Sequence, residues 1–252
     1  MNIDKVYIIT LDHSEENKRS LLERLEKLTV PNATSYHIIQ AVNGKEEFAT
    51  KEGRDSYGIK FYDKWKMEGD VNWWYKRNVT VGEAGGMCSH IKIWEDAYQN
   101  GFDNILILED DYEPQQPFYW EAFDELENYD HDIVFLSRLL QDNIDHGIDV
   151  YDTKVGLKYW VKPGYSYQTH SYVLTKSGIK KLVENHLPTL KENIVVSDEF
   201  LPAVYTTHPR KDMRCMYVQD MNALAYKWYP IHQSRNESQG NSQTEPIEGI
   251  DY

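Results

Sequence analysis

Cysteine is scarce: the 252 residues contain two, Cys88 and Cys215, far apart and without CxxC spacing. A disulfide framework or a thiolate zinc site needs more. Cations are few as well, 27 Lys and Arg against 41 Asp and Glu, for a net charge of −14. Nucleic acid and anionic membrane are bound by clustered Lys and Arg, so neither is an expected partner. Short basic clusters stand at Lys76-Arg77 and Arg210-Lys211. No apolar run approaches a membrane span, and no basic-plus-apolar leader opens the chain. The sequons at Asn32, Asn78 and Asn236 therefore read as chance, and a cytoplasmic protein with reduced thiols is expected. No internal repeat and no GxxxxGK phosphate cradle is visible.

What is present is a soluble globular composition, 40% hydrophobic and 27% charged, with 19 tyrosines and seven tryptophans. Core packing explains most of these rings, although sugars and bases also lie well against them. Lys5 to Leu11 reads as a buried parallel strand. Ser14 then caps a helix carrying Leu21, Leu22, Leu25 and Leu28, which Pro31 ends. Tyr36 to Val42 is a second strand, stopping at Asn43-Gly44. This opening βαβ is the first half of a nucleotide-binding sheet.

Lys45 to Thr80, with Trp73-Trp74 inside it, reads as a long loop with some helix. A helix starts in Gly82 to Gly86 and closes at Asn100-Gly101. Asn104 to Leu108 is a buried strand running into Glu109-Asp110-Asp111. Ile133 to Leu136 and Tyr172 to Thr175 are further strands, Ile179 to Val183 is a helix, and Ser197 caps another through Phe200 and Tyr205. The tail from about 233 to 252 reads as flexible or lid-like. The expected fold class is α/β, in a single domain over 1–252.

The most informative segment is ILILEDDYEP. Ligands of open α/β sheets bind outside the carboxyl ends of the strands, where these acids fall. Strand alternation would point Glu109 and Asp111 one way and Asp110 the other. Crowded carboxylates repel one another unless a cation neutralises them, and oxygen ligands suit Mn²⁺ or Mg²⁺, with substrate phosphates completing the shell. The triplet alone serves equally well as a solvent-facing acidic turn or a helix N-terminal cap.

The residues before it resolve this. Gly82 to Asp111 (GEAGGMCSHIKIWEDAYQNGFDNILILEDD) resembles the signature of glycosyltransferase family 25. Gly82, Glu83, Gly85, Ser89 and His90 match its helix start. Gly86 stands where that family usually has Cys, with Cys88 nearby. VYIITLD looks like the family's first strand, and AVNG (Ala41 to Gly44) resembles its Ala-x-Asp-Gly. YSYQTHSYVLTKSGIKKL, then DEFLP (Asp198 to Pro202), YPIHQ and a later SQTE, are similar to procollagen galactosyltransferases, Gln168 replacing an expected aromatic.

The resemblance implies a GT-A fold, a Rossmann-like mixed sheet flanked by helices, and transfer of galactose or glucose from a UDP-sugar. The implied acceptor is a hydroxyl, either (galactosyl)hydroxylysine of a collagen-like polypeptide or another glycan. A catalytically inactive relative that binds collagen or sugar is the rival, and a nucleotidyltransferase would want a triphosphate cradle. Asp111, assisted by Glu109, is the implied metal ligand, with His232 returning late in the chain as a third. Asp110 faces the ribose, Thr10, Leu11 and Asn43 line the uridine pocket, and Trp74 either closes over the donor or packs the surface loop. Ser89 and His90 lie at a helix start suited to phosphate, His90 serving equally well as a buried structural residue. One of Asp198 and Glu199, with Asp198 preferred, is the base if configuration inverts; under retention both position the acceptor.

Overall fold

The computed structural model describes residues 1–30, 35–67, 73–115, 118–140, 151–167, 169–228 and 231–233; the side chains of Trp73, Trp74 and Leu140 lie outside that description. Gln168 and the tail from 234 onward are likewise outside the described residues. The chain opens as β1 (Lys5–Thr10), α1 (Glu15–Leu28) and β2 (Tyr36–Gln40), then α2 (Gly44–Glu47), α3 (Lys51–Ser56) and α4 (Val81–Asn100). The strands β3 (Asn104–Glu109), β4 (Tyr112–Pro114), β5 (Ile133–Phe135), β6 (Leu139–Leu140), β7 (Thr153–Lys154), β8 (Trp160–Lys162), β9 (Ser166–Tyr167) and β10 (Ser171–Thr175) follow. Next come α5 (Lys176–Lys181), continuing through a π turn into α6 (Leu187–Glu192), then α7 (Ser197–Tyr205) and α8 (Lys211–Met216). β11 (Ala223–Tyr226) and β12 (Ile231–Gln233) end the described chain.

One eight-stranded sheet organises these elements, in the order β2-β1-β3-β10-β5-β11-β8-β7. β1 runs parallel to β2 and β3, as the opening βαβ requires. β10 enters antiparallel between β3 and β5, so the sheet is mixed. Side chains alternate across it. Tyr7, Ile9, Ile105 and Ile107 pack under α4 and α7 on one face, while Val6, Ile8, Leu106 and Leu108 pack against α1 on the other. Both faces are covered, hence the unbroken apolar runs of β1 and β3. The expected α/β architecture, a mixed sheet flanked by helices, is the one observed.

Local chemistry sets the helix starts. Ser14 accepts from the Asn17 N–H at the head of α1. Thr80 and Glu83 form a reciprocal capping box at the head of α4, and Gly101 ends that helix in the left-handed region at φ 69°. Ser197, expected as a cap, is instead the first residue of α7; Val196 holds the cap position without a side-chain bond. Lys45 to Thr80 contains two short helices and a 3₁₀ turn over Trp73–Lys76. It is pinned by Arg210, whose guanidinium lies 4.4 Å from the Trp65 ring and 5.0 Å from that of Tyr75. Arg210 also donates to the carbonyls of Trp65 and Lys64.

α4 approaches the β2–α2 turn closely enough to exclude side chains. A Cβ on Gly85 would lie 2.6 Å from the Val42 carbonyl oxygen and 2.7 Å from the Gly44 nitrogen, both backbone. One built on Gly86, a residue later, would meet nothing within 4 Å. Gly85→Ala is expected to destabilise the chain by about 1–3 kcal/mol, since backbone cannot yield cheaply. Gly86→Ala should stabilise it by roughly 0.5–1 kcal/mol through helix propensity. Denaturant unfolding of both variants measures this, and equal effects would refute the close approach.

Candidate active site

A cavity of about 630 Å³ opens at the carboxyl ends of β1 and β3, walled by α1, the head of α4 and the first turn of α7. Glu109, Asp110 and Asp111 all line it. The expected alternation among them does not occur, because β3 ends at Glu109 and the chain turns through Asp110 and Asp111. Three carboxylates thereby reach one space.

Each is held differently. Glu109 accepts from His90 Nε2 at 3.1 Å and from Thr169 Oγ1 at 3.0 Å. Behind it, the Tyr172 hydroxyl bonds His90 Nδ1 at 2.8 Å and accepts from Trp94 Nε1 at 3.1 Å. Burial disfavours the charge on Glu109, but these bonds and the neighbouring imidazoles outweigh it and hold the carboxyl below its ordinary range. Asp110 accepts from Thr10 Oγ1 at 2.6 Å; burial nevertheless raises its pKa. Asp111 is pushed up to about 7, chiefly by burial and then by the charge of Glu109. Its Oδ2 accepts from Gln233 Nε2 at 2.6 Å, while its Oδ1 is buried with no partner among the described residues. An orphaned carboxylate oxygen beside two other acids is an environment a cation would relieve. Among the described residues no group of three or more His, Cys, Asp or Glu is assembled to hold a metal ion. The set therefore fits an ion carried by one or two carboxylates and completed by diphosphate oxygens and water, as suits Mg²⁺ or Mn²⁺.

The remaining expected residues divide. Thr10, Leu11, Ser89 and Asp198 line the cavity. Ser89 accepts from the Val42 N–H at 2.8 Å and donates to the Gly85 carbonyl, fixing the β2–α2 turn against α4. His90 lines the wall and is also buried and hydrogen-bonded, so both of its expected roles coincide. Asn43 holds the cap position of the short α2 without a side-chain cap bond and does not line the cavity. Glu199 is fully buried and turned away from it, accepting from Tyr165 at 2.6 Å, His208 Nε2 at 2.7 Å and Tyr75 at 3.2 Å. Successive residues of a helix point about 100° apart, so one acid of the pair faces the cavity and the other the core. His232 is exposed on β12, paired with Glu113, and it is Gln233 that reaches Asp111. The strand period of two separates those adjacent side chains. The 3₁₀ turn carries Trp74, whose side chain lies outside the described residues.

Several wall residues carried no motif signal. Asn17, Arg24 and Lys27 come from α1, and Arg24 lowers the pKa of Asp110 electrostatically. Their spacing on a helix face whose other side packs the core was the available sign. Of the basic pairs Lys76-Arg77 and Arg210-Lys211, neither arginine lines the cavity: Arg77 binds Glu83 at 2.8 Å, and Arg210 stacks on Trp65. Thr169 and His170 precede β10, whose antiparallel insertion brings its start beside the end of β3; the Glu109 N–H donates to the His170 carbonyl at 2.9 Å. Burial lowers the pKa of His170, favouring the neutral ring over the imidazolium. Cys88 is buried and Cys215 exposed, both as free thiols. No helix among the described residues is long and apolar enough to cross a membrane.

The raised pKa of Asp111 has a consequence for stability. Between its ordinary 3.8 and its folded value of about 7, the folded chain holds a proton that the unfolded chain has lost. Stability therefore falls as pH rises through that window and levels off above it. In EDTA, Asp111→Asn should raise Tm above pH 7 and leave it unchanged near pH 4, by about 2–4 °C per kcal/mol recovered. Melting curves at the two pH values measure this, and a shift equal at both would show that Asp111 carries no buried charge.

Comparison with known proteins extends these observations. A glycosyltransferase 25 family member of Anopheles gambiae is 29% identical over 94% of this chain and 38% of its own length. Procollagen galactosyltransferase 1-A of Xenopus laevis is 28% identical over 94% of this chain and 37% of its own. A probable inactive glycosyltransferase 25 family member 3 of Bos taurus is 25% identical over 89% and 36%. The chain thus spans little more than a third of the length of these relatives. A solved glycosyltransferase involved in the glycosylation of the major capsid of PBCV-1 aligns over 93% of this chain and 96% of its own, at 9% identity and a TM-score of 0.36. The model of glycosyltransferase family 25 (LPS biosynthesis protein) matches residues 3–201, most of the chain. The chain belongs to glycosyltransferase family 25.

Proposed function

We propose that this chain transfers a hexose, galactose or glucose, from a UDP-sugar to a hydroxyl group of a collagen-like polypeptide. The observation that carries the reading is the convergence of three carboxylates at the end of β3, with Asp198 on the wall formed by α7. The relative named as a procollagen galactosyltransferase supports the choice of sugar and acceptor.

Uracil and ribose would lie over the ends of β1 and β2, against Thr10, Leu11, Ala41 and Val42. Asp110, already bonded to Thr10, faces that end. The diphosphate would lie beside Arg24 and Lys27, with Asp111, assisted by Glu109, holding the Mn²⁺ or Mg²⁺ ion. Such an ion, when bound, would neutralise the diphosphate and stabilise UDP as it departs. His90 and Thr169 hold Glu109 ionised and in place. Asp198 is the base: it takes the proton of the acceptor hydroxyl, whose oxygen bonds to the anomeric carbon as the bond from that carbon to the diphosphate oxygen breaks. UDP leaves with the electron pair of the broken bond. Glu199, bound to three donors in the core, anchors the first turn of α7 rather than meeting the acceptor.

Two measurements test the reading. UDP binding followed by calorimetry should require a divalent cation; equal affinity in Mn²⁺ and in EDTA would remove the metal bridge. Asp198→Asn should lower turnover on a hydroxylysine peptide by about 10²–10⁴-fold while leaving UDP affinity within about twofold, because the donor contacts are untouched. Turnover reduced by less than a few-fold would exclude Asp198 as the base. Since one relative bears the name of a probable inactive protein, UDP release without an acceptor is measured alongside; binding without transfer or hydrolysis would make this a binding module.

A further inference from the structure

The cavity wall holds a polar side chain that the described residues leave unsatisfied. His170 is 1% exposed and lines the cavity, and neither ring nitrogen has a hydrogen-bond partner among the described residues. The Ile231 backbone comes close enough to one ring nitrogen to raise its pKa without reaching ordinary hydrogen-bond geometry, so at least the other nitrogen is left without a partner among the described residues. Buried polar atoms are ordinarily paired, and leaving one unpaired costs stability. His90, which reaches the same wall from α4, has both nitrogens bonded. A leucine would fill the position of His170 without that cost, so the imidazole faces the cavity to meet something that enters it.

Its place in the sheet indicates what that is. Across the carboxyl edge stand Thr10 at the end of β1, Glu109 at the end of β3 and His170 at the start of β10. Beside His170, Thr169 Oγ1 lies 3.1 Å from Ser197 Oγ, which begins the helix turn carrying Asp198. If the nucleoside lies over β1 and the diphosphate over β3, the transferred group lies over β10, between the acids and Asp198. A neutral imidazole offers one donor and one acceptor. A sugar hydroxyl, itself donor and acceptor, satisfies either nitrogen, whereas phosphate oxygens satisfy the donor alone. We propose that His170 is a specificity-determining residue that recognises the hexosyl group of the donor through a sugar hydroxyl. This rests on the UDP-sugar reading above and assigns the sugar end of the same cavity.

The test compares three ligands on the full chain in Mn²⁺: UDP, UDP-galactose and UDP-glucose. His170→Leu should lower affinity for at least one UDP-hexose by about 3–30-fold, the size of one or two neutral hydrogen bonds, and leave UDP affinity within about twofold. Its ligand-free Tm should stay level or rise, because a buried unpaired group is removed. His170→Gln, which keeps a donor and an acceptor, should recover part of the hexose affinity. A histidine with a purely structural role would give a lower Tm and equal losses for UDP and UDP-hexose. Either that pattern, or an unchanged ratio of hexose to UDP affinity in both variants, overturns the assignment of His170 alone. A parent chain that binds none of the three ligands overturns the donor reading and this inference together.

Discussion

The structure depends on keeping three carboxylates together at the end of one strand. Glu109, Asp110 and Asp111 share a buried opening in which each charge opposes the others, and burial alone disfavours all three. Four surrounding elements share the work of holding them: β1 through Thr10, α4 through His90, the start of β10 through Thr169, and β12 through Gln233. The division is uneven. Glu109 is stabilised as an anion, whereas burial and the charge of Glu109 raise Asp111 to about 7 and one of its oxygens has no partner among the described residues. A cation beside Asp111 would relieve that opposition.

Close backbone contact makes this arrangement possible. Gly44 and Gly85 let α4 lie directly against the β2–α2 turn, with Ser89 bonding across the junction. That approach brings His90 within reach of Glu109. The following glycine, Gly86, has open space before it and faces the cavity. Adjacent glycines thus serve different ends, one packing and one clearance.

The opposite wall rests on a buried polar core. Glu199 ties Tyr75, Tyr165 and His208 together beneath α7. Arg210 stacks on the same Tyr75 and on Trp65. A carboxylate buried in this way is tolerated because several donors surround it. Through these bonds the segment from Lys45 to Thr80 is fastened to the helix that carries Asp198. Much of the heavy aromatic content goes into this anchoring and into the core.

Pattern and short-range chemistry in the sequence by themselves determined the α/β class, the opening βαβ, the capped α4 and the location of the acids at a strand end. Each of these follows from local periodicity, capping residues or a contiguous motif, which act over a few residues. Only the tertiary structure decided which side chains share the cavity. The turn after Glu109 brought Asp110 to the same side as its neighbours, helix phase buried Glu199 while leaving Asp198 on the wall, and strand phase offered Gln233 in place of His232. The antiparallel insertion of β10 delivered Thr169 and His170, some sixty residues from the acids in the chain, and α1 supplied Arg24 and Lys27 from the other direction. Such placements depend on strand order and on the phase of an element at its end, and long-range packing sets both.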